Sequence, residues 1–432
     1  MSKKTITNLQ NGLTLVLQPM STNNDKLNIS FVFNGVGNAI DGDKPGIAHL
    51  AEHMVFRGNN ILSAKDIAQK LTDLSHDGYR AETCYDKTVF QLNTYKNSLN
   101  DAVALLVDMF SKSTLNDFET EKSVIKHELN NRLDKPIINL FNLIDLGHGL
   151  KNNDLLHKEN LPGITKNDVH AFIKENYIPN KCELIISGAI EDIDIVEAVI
   201  KSKTKNWQNS STPHKEWTPL EYKPGYFAEE ANTKSTYFSL FFNDPKSFDI
   251  KNFISKLIVN QVSGGGLNSI MMHDGRIEQG LAYNIRDFCM SYPDHGVYGV
   301  MTWTDRDSFS SLLESTITSM KSVRSIIADP KNSAVDIVKI FLKNAFNQPN
   351  ITAYDAAEEY ISFSKFGVTR DEIIDIIDKT TTKDLLNWFD STLASGPSLA
   401  VYGDIDPNIC SYDSLNELWN HIYNNESDGF LN

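Results

Sequence analysis

Leu184-Ile185-Ile186-Ser187-Gly188-Ala189-Ile190-Glu191 and Leu399-Ala400-Val401-Tyr402-Gly403-Asp404-Ile405-Asp406 follow one pattern: an apolar run, a glycine, one free position, an isoleucine and an acid. The apolar run reads as a buried strand and the glycine as its end. Similar stretches precede the two runs: Thr165-Lys166-Asn167-Asp168-Val169-His170-Ala171-Phe172 and Thr382-Lys383-Asp384-Leu385-Leu386-Asn387-Trp388-Phe389. The repeat distance from Leu184 to Leu399, 215 positions, is half of the 432-residue chain. A period that long means a duplicated domain and not a short-period solenoid. The chain length also suits two cores of roughly 200 residues each.

Working outward, the first half alternates strand and helix signals. Thr5-Ile6-Thr7 and Leu13–Leu17 flank the turn Asn11-Gly12, and Leu27, Ile29, Phe31 and Phe33 alternate as in a half-buried strand. Helices are expected over 47–56, 64–74, 99–110, 117–133, 165–177 and 192–201, with a strand pair over 80–94 around Tyr85-Asp86-Lys87. In the helix over 117–133, Phe118, Val124, Ile125 and Leu129 supply the side to be buried. The Pro/Ser/Thr-rich stretch from Asn206-Trp207 to Pro224 reads as a linker. The expected organisation is an α+β fold of two homologous domains, 1–206 and 226–432, joined by 207–225. Each would be a mostly antiparallel sheet covered by helices.

The net charge of -15 argues against a nucleic-acid partner, whose phosphates need clustered Lys and Arg. Four scattered cysteines, Cys84, Cys182, Cys289 and Cys410, make neither a disulfide framework nor a thiolate metal site. They suit a reducing compartment. No stretch is long enough to span a membrane, and the N-terminus lacks the apolar core of a signal peptide, so a cytoplasmic location is expected.

One stretch carries chemistry: Gly46-Ile47-Ala48-His49-Leu50-Ala51-Glu52-His53-Met54-Val55-Phe56. On a helix, His49, Glu52 and His53 share a face, while Ile47, Leu50, Ala51, Met54 and Val55 form an apolar stripe. With 11 histidines in the chain, His-x-x-Glu-His arises by chance in roughly one such sequence in a hundred. Two imidazoles leave a catalytic zinc one protein ligand short. Glu128 is a candidate for the third, 75 positions after His53 and two helical turns from Glu121. Glu52 is then free for proton work, and Glu121 for orienting a ligand. Other histidines, including His76, His157, His273 and His295, lack ligand-like spacing and read as surface or packing residues.

These residues resemble the inverted zincins of the pitrilysin, insulin-degrading enzyme and mitochondrial processing peptidase family, in its short two-domain form. The resemblance extends through Met54-Val55-Phe56-Arg57-Gly58, Leu161-Pro162-Gly163, Tyr177-x-Pro179-Asn180, Gly264-Gly265-Gly266 and Arg276-x-x-x-Gly280-Leu281-Ala282-Tyr283. It implies one zinc per chain held by His49, His53 and Glu128, with Glu52 as general base and Glu121 as supporting acid. Arg276 and Tyr283 would reach the bound peptide from the metal-free domain. Spacing alone would make Tyr283 a core aromatic. Arg80-Ala81-Glu82-Thr83 stands where the family carries Asn-Ala-x-Thr on the edge strand that pairs with substrate. Ala81 and Thr83 fit; Arg80 does not, which bears on substrate choice. The family's acid shortly before the motif finds only a loose match in Gly35-Val36-Gly37-Asn38-Ala39-Ile40-Asp41.

The expectation is therefore a zinc endopeptidase acting on short or unfolded peptides in an enclosed chamber. The resemblance implies a homodimer, with a heterodimer of related subunits as the alternative. A non-catalytic partner subunit and a peptide-binding module that does not cut are the rival readings. The intact His49, Glu52, His53 and Glu128 set argues against the first.

Overall fold

The computed structural model describes residues 4–21, 24–147, 154–210, 222–244, 249–266, 269–292, 295–349 and 352–424. In the first half, strands β1 (Thr5–Asn8), β2 (Thr14–Pro19), β3 (Lys26–Asn34), β4 (Ser75–Thr83), β5 (Lys87–Tyr95) and β6 (Cys182–Gly188) form one sheet. Its helices are α1 (Ile47–Met54), α2 (Ala64–Leu74), α3 (Leu99–Ser111), α4 (Phe118–Leu133), α5 (Pro136–Gly147), α6 (Asp154–Asn160), α7 (Lys166–Asn176) and α8 (Ile193–Thr204). In the second half, β7 (Tyr226–Glu230), β8 (Thr236–Asn243), β9 (Ile285–Ser291), β10 (Gly296–Thr304) and β11 (Ser398–Gly403) form the other sheet. Its helices are α9 (Ile250–Ser263), α10 (Ile270–Met272), α11 (Phe309–Ala328), α12 (Ala334–Asn347), α13 (Ala353–Phe363), α14 (Arg370–Lys379), α15 (Thr382–Leu393) and α16 (Tyr412–Trp419). A π-helical turn over His273–Glu278 follows α10. None of the described helices is long and apolar enough to cross a membrane.

From β2 onward the first sheet has the strand order and directions of the second, with β1 as an additional strand. The first runs β1-β2-β6-β3-β5-β4 and the second β7-β11-β8-β10-β9. In each, one parallel pair (β2 with β6, β7 with β11) is followed by antiparallel pairs. The repeated apolar runs are the strands β6 and β11, each between the other two members of that pattern. Both sheets end on an open edge, β4 in the first and β9 in the second.

The compact units do not follow the chain halves. One comprises 1–131, 152–218 and 350–365; the other comprises 132–151, 219–349 and 366–432. The two halves thus exchange one segment each. Helix α5 lays Leu140, Leu143 and Ile144 on Phe241, Val297, Met301 and Ala400 of the second sheet. Helix α13 lays Ala357 and Tyr360 on Val16, Val32, Val89 and Ile185 of the first. Contiguous domains at 1–206 and 226–432 miss this, because a helix's apolar stripe does not name the sheet that covers it. Trp207, placed at the start of the linker, is buried against Phe110 in the first core, and its Nε1 donates to the Tyr177 carbonyl at 3.0 Å. Linker residues 211–221 lie outside the described residues.

In the first unit, Leu27, Ile29, Phe31 and Phe33 of β3 enter the core with Phe90, Phe110 and Tyr177. Strand alternation leaves Asn28 and Ser30 on the opposite face. Both are fully buried. Asn28 donates to Asn93 (2.9 Å), Ser30 to Asn28 (2.6 Å), and Gln91 to both Ser30 (3.1 Å) and Glu358 of α13 (2.8 Å). Partnered this way, the polar groups avoid the penalty of unsatisfied burial. On α4, Ile125 and Leu129 are buried, but Val124 is 47% exposed, contrary to its expected burial. The buried stripe of α4 runs through Phe118, Glu121, Ile125 and Leu129, and Val124, about 100° round from Ile125 and on the side away from Leu129, falls outside it.

Candidate functional site

Helix α1 brings the motif together. Its apolar residues Ile47, Leu50, Ala51 and Met54 are buried in the first core, as the stripe requires. Its N-terminus is held by a residue the motif does not contain. The carboxylate of Asp41 is buried and accepts from the N–H of Gly46 (2.6 Å) and of Ala48 (3.1 Å). It satisfies helix donors that otherwise lack partners and places a negative charge at the positive end of the dipole. The loose match at Gly35–Asp41 therefore does end in an acid that serves the motif. Gly46 itself has φ +91°, and a Cβ there would meet His157 at 3.2 Å, so a side chain would be strained twice over.

His49 and His53 stand with ring centres 4.9 Å apart. Helix α4 delivers Glu128, whose Oε1 lies 3.7 Å from His49 Nε2 and whose Oε2 lies 3.5 Å from His53 Nε2. One ligand atom from each of the three lies within 4.8 Å of the others. Two neutral imidazoles and a carboxylate at that separation could hold one zinc ion and leave a position for water.

The surrounding groups orient this set. His53 Nδ1–H donates to Glu121 Oε1 at 2.9 Å, leaving Nε2 to face Glu128. Glu121 is itself buried, with its Oε2 3.3 Å from Arg57 Nε. The hydrogen bond from His53 holds the Glu121 carboxyl below its ordinary range, against the effect of burial. Burial opposes charge on the His53 ring, but the carboxylates of Glu121, Glu128 and Glu52 outweigh it and push the ring up to about 9. Arg57 also donates to Asp117 at 3.0 Å.

Glu52 is the least expected member. It belongs to the polar face of the motif, yet it is 7% exposed. Burial pushes its carboxyl up, and the Thr83 hydroxyl, which donates to Oε2 at 2.7 Å, pulls it back. Thr83 is the last residue of the open edge strand β4. Tyr79 and Ala81 share its face: Tyr79 stacks on Phe56 at 5.5 Å and Ala81 packs on the core. Arg80 points to the other face, toward α13. In the first unit, then, the structure brings together His49, Glu52, His53, Glu121, Glu128 and Thr83, with Ala81 beside them.

Arg276 and Tyr283 belong to the second unit. The Arg276 guanidinium lies 4.7 Å from the Tyr283 ring centre. Tyr283 is 72% exposed, so the core role that spacing suggests is wrong. The same unit carries a side-chain contact at the matching place in its topology. Helix α9 follows β8 as α1 follows β3, and Lys256 of α9 donates to Ser291, the last residue of edge strand β9. Lys256 thus bridges this helix to the last residue of the edge strand, as Glu52 bridges α1 to Thr83. Its ammonium is buried on Asp244 Oδ2 at 2.8 Å, and Trp388 Nε1 donates to Oδ1 of the same carboxylate at 3.2 Å. One further set, His273, Asp274 and Glu278, also brings ligand-type atoms within 4.8 Å. Separations of one and five residues meet because this turn is π-helical, a geometry that a 3.6-residue period does not anticipate.

Two family models match this chain. The family described as Insulinase (Peptidase family M16) matches residues 16–143, and the Peptidase M16 inactive domain matches residues 163–330. An uncharacterized zinc protease of Rickettsia felis is 22% identical over 410 residues, covering 93% of this chain and 98% of its own. The zinc protease YmxG of Bacillus subtilis is 26% identical over 330 residues, 72% of this chain and 77% of its own. Mitochondrial-processing peptidase subunit beta of Saccharomyces cerevisiae is 22% identical over 429 residues, 93% and 92% of the two chains. Among solved structures, a protease from Helicobacter pylori shares the fold with a TM-score of 0.84 at 17% identity, over 93% of this chain and all of that one.

Proposed function

Because the chain belongs to peptidase family M16, we propose that it is a zinc-dependent endopeptidase that hydrolyses short or unfolded peptides. The observation that carries this reading is the convergence of His49, His53 and Glu128 beside a buried carboxylate, Glu52, that is tied to an open strand edge. In the proposal His49 and His53, through Nε2, and Glu128 hold one zinc per chain. The donor set fits that ion in type and in spacing. When bound, zinc supplies a Lewis acid for the scissile carbonyl and lowers the pKa of the attacking water.

The chain's own residues do the rest. An extended peptide pairs with the free edge of β4, so that backbone hydrogen bonds place it along Ala81 and Thr83. Thr83 anchors Oε2 of Glu52 and so aims the other oxygen, Oε1, as the proton acceptor. Burial has already raised the basicity of this carboxylate, which suits a group that takes a proton from water and gives it to the leaving amine. Glu121 keeps the His53 proton on Nδ1. Arg276 and Tyr283 act as substrate contacts: the phenol can donate to a developing oxyanion and the guanidinium can hold a carbonyl or carboxylate. The relatives include a processing-peptidase subunit. Because this chain carries both the donor set and the Arg/Tyr pair, we read it as a homodimer, which sedimentation equilibrium checks as a mass of two chains.

The test compares wild type with Glu52→Gln for zinc content and for product peptides by mass spectrometry. The variant keeps about one zinc per chain and loses about 100-fold or more in kcat. A zinc-loaded variant that cuts at the wild-type rate overturns the mechanism. A zinc-loaded wild type that yields no product from any peptide in a mixture overturns the enzyme reading.

A further inference from the structure

The edge strand β4 offers two kinds of side chain to anything that pairs with it. Tyr79, Ala81 and Thr83 face the metal helix; Arg80 and Glu82 fall between them and face the opposite side. On that side Arg80 meets the first turn of α13. Its guanidinium lies 4.8 Å from the Tyr354 ring centre, and one of its terminal nitrogens donates to the Tyr354 hydroxyl at 3.1 Å. The side chain is exposed, and no carboxylate among the described residues pairs with it. In a chain with 56 acids against 41 bases, carboxylate partners are plentiful. Arg57, Arg306 and Arg324 each have an aspartate. Arg80 is instead held in place by an aromatic ring, which fixes its orientation and leaves its guanidinium without an ion-pair partner among the described residues.

Arg80 and Tyr354 also form the shared wall of two cavities. One, of about 460 Å³, is lined further by Lys26, His76, Asp77 and Asp355, so its two cations face two carboxylates. Asp355 at its rim is committed to the backbone N–H of Thr352, at 3.0 Å, in the capping box of α13. The other cavity, of about 380 Å³, is lined by Glu82 and by Glu358, which accepts from Gln91. A strand added to the free edge of β4 alternates its side chains in step with β4. One of its residues therefore lies beside Arg80, and another, two positions along, lies beside Glu82.

We propose that Arg80, oriented by Tyr354, is a specificity-determining residue that accepts an acidic side chain of the peptide paired with β4. The substrate class is peptides with Asp or Glu at that one position and a neutral or basic residue two positions away, beside Glu82. The proposal rests on the endopeptidase reading only for where the peptide lies. Cross-strand pairs of opposite charge on a partly exposed face favour pairing by a factor of up to about five, and a guanidinium already oriented falls at the upper end.

The experiment measures binding, so it does not depend on turnover. Fluorescent peptides carrying Glu, Gln or Lys at one scanned position are titrated into zinc-loaded Glu52→Gln protein by anisotropy. Glu binds about three- to five-fold more tightly than Gln at one position, and Lys binds weakest there. Arg80→Gln abolishes the ratio, Arg80→Lys keeps its sign, Tyr354→Leu reduces it, and salt near 0.5 M erodes it. A ratio that is flat at every position, one that survives Arg80→Gln, or a complete lack of peptide binding each overturns the proposal. Turnover of the Gln peptides by wild type is followed in parallel. Turnover with a flat binding ratio removes only the role of Arg80. A charge-selective ratio without turnover keeps that role and removes the endopeptidase reading.

Discussion

Replacing Glu121 by alanine tests whether the carboxylate behind His53 holds the metal site in order. The structure sets the size of the effect. Glu121 accepts a 2.9 Å hydrogen bond from His53 Nδ1, and its side chain is 10% exposed, so water replaces it poorly. A buried hydrogen bond to a charged group contributes about 1.5–3 kcal/mol. Loss of such a partner behind a ligating histidine weakens metal binding by about 10- to 100-fold, or about 1.4–2.7 kcal/mol. The two ranges agree. A second effect opposes the first: Glu121 also raises the proton affinity of the His53 ring, which reaches about 9. Removing Glu121 relieves some competition from protons at neutral pH. The net loss of zinc affinity is therefore about 10-fold at pH 7 and grows toward about 100-fold at pH 8.5. Glu121→Gln, which keeps an acceptor oxygen without its charge, falls between wild type and Glu121→Ala. Zinc affinity is measured by chelator competition at both pH values, with circular dichroism to confirm the fold. Glu119→Ala, an exposed acid on the same helix, serves as the control and leaves affinity unchanged. A Glu121→Ala affinity within two-fold of wild type at both pH values refutes the reasoning.

Two further outcomes concern the second unit. Breaking the buried Lys256–Asp244 pair by Lys256→Met strands a carboxylate and lowers stability by about 3–5 kcal/mol, read as a fall in the urea midpoint; an unchanged midpoint contradicts the assignment. Asp287, whose carboxyl is pushed up to about 7 by burial, binds its proton more tightly folded than unfolded. Its contribution to stability is complete below about pH 4 and is lost as pH rises from there through about 7. Asp287→Asn removes that slope, on the order of 3 kcal/mol, so urea midpoints at pH 5 and pH 8 converge in the variant; the same pH dependence as wild type rejects it.

The glycine-rich stretch shows why that aspartate was not legible in advance. Gly264-Gly265-Gly266 reads as a loop, and nothing local names its neighbour. In the fold, a Cβ on Gly264 would meet Asp287 Oδ1 at 2.4 Å, so a side chain there and the buried carboxyl exclude each other. The two residues are 23 positions apart, on α9's C-terminus and on β9.

The sequence alone determined whatever depends on short-range periodicity. Helical spacing puts His49, Glu52 and His53 on one face and Glu121 and Glu128 on another, and the repeated strand signature announces a duplicated α+β unit. These are properties of 3.6-residue and two-residue repeats, which a chain carries locally. Only the tertiary structure decided what depends on which surfaces meet. It buries Glu52 under Thr83, places Asp41 at the head of α1, exchanges α5 and α13 between the chain halves, and turns Arg80 away from the metal helix onto Tyr354. Each of these joins residues whose partners lie on separate elements or across a non-helical turn. The free energy that selects them comes from burial and desolvation, which no local pattern encodes.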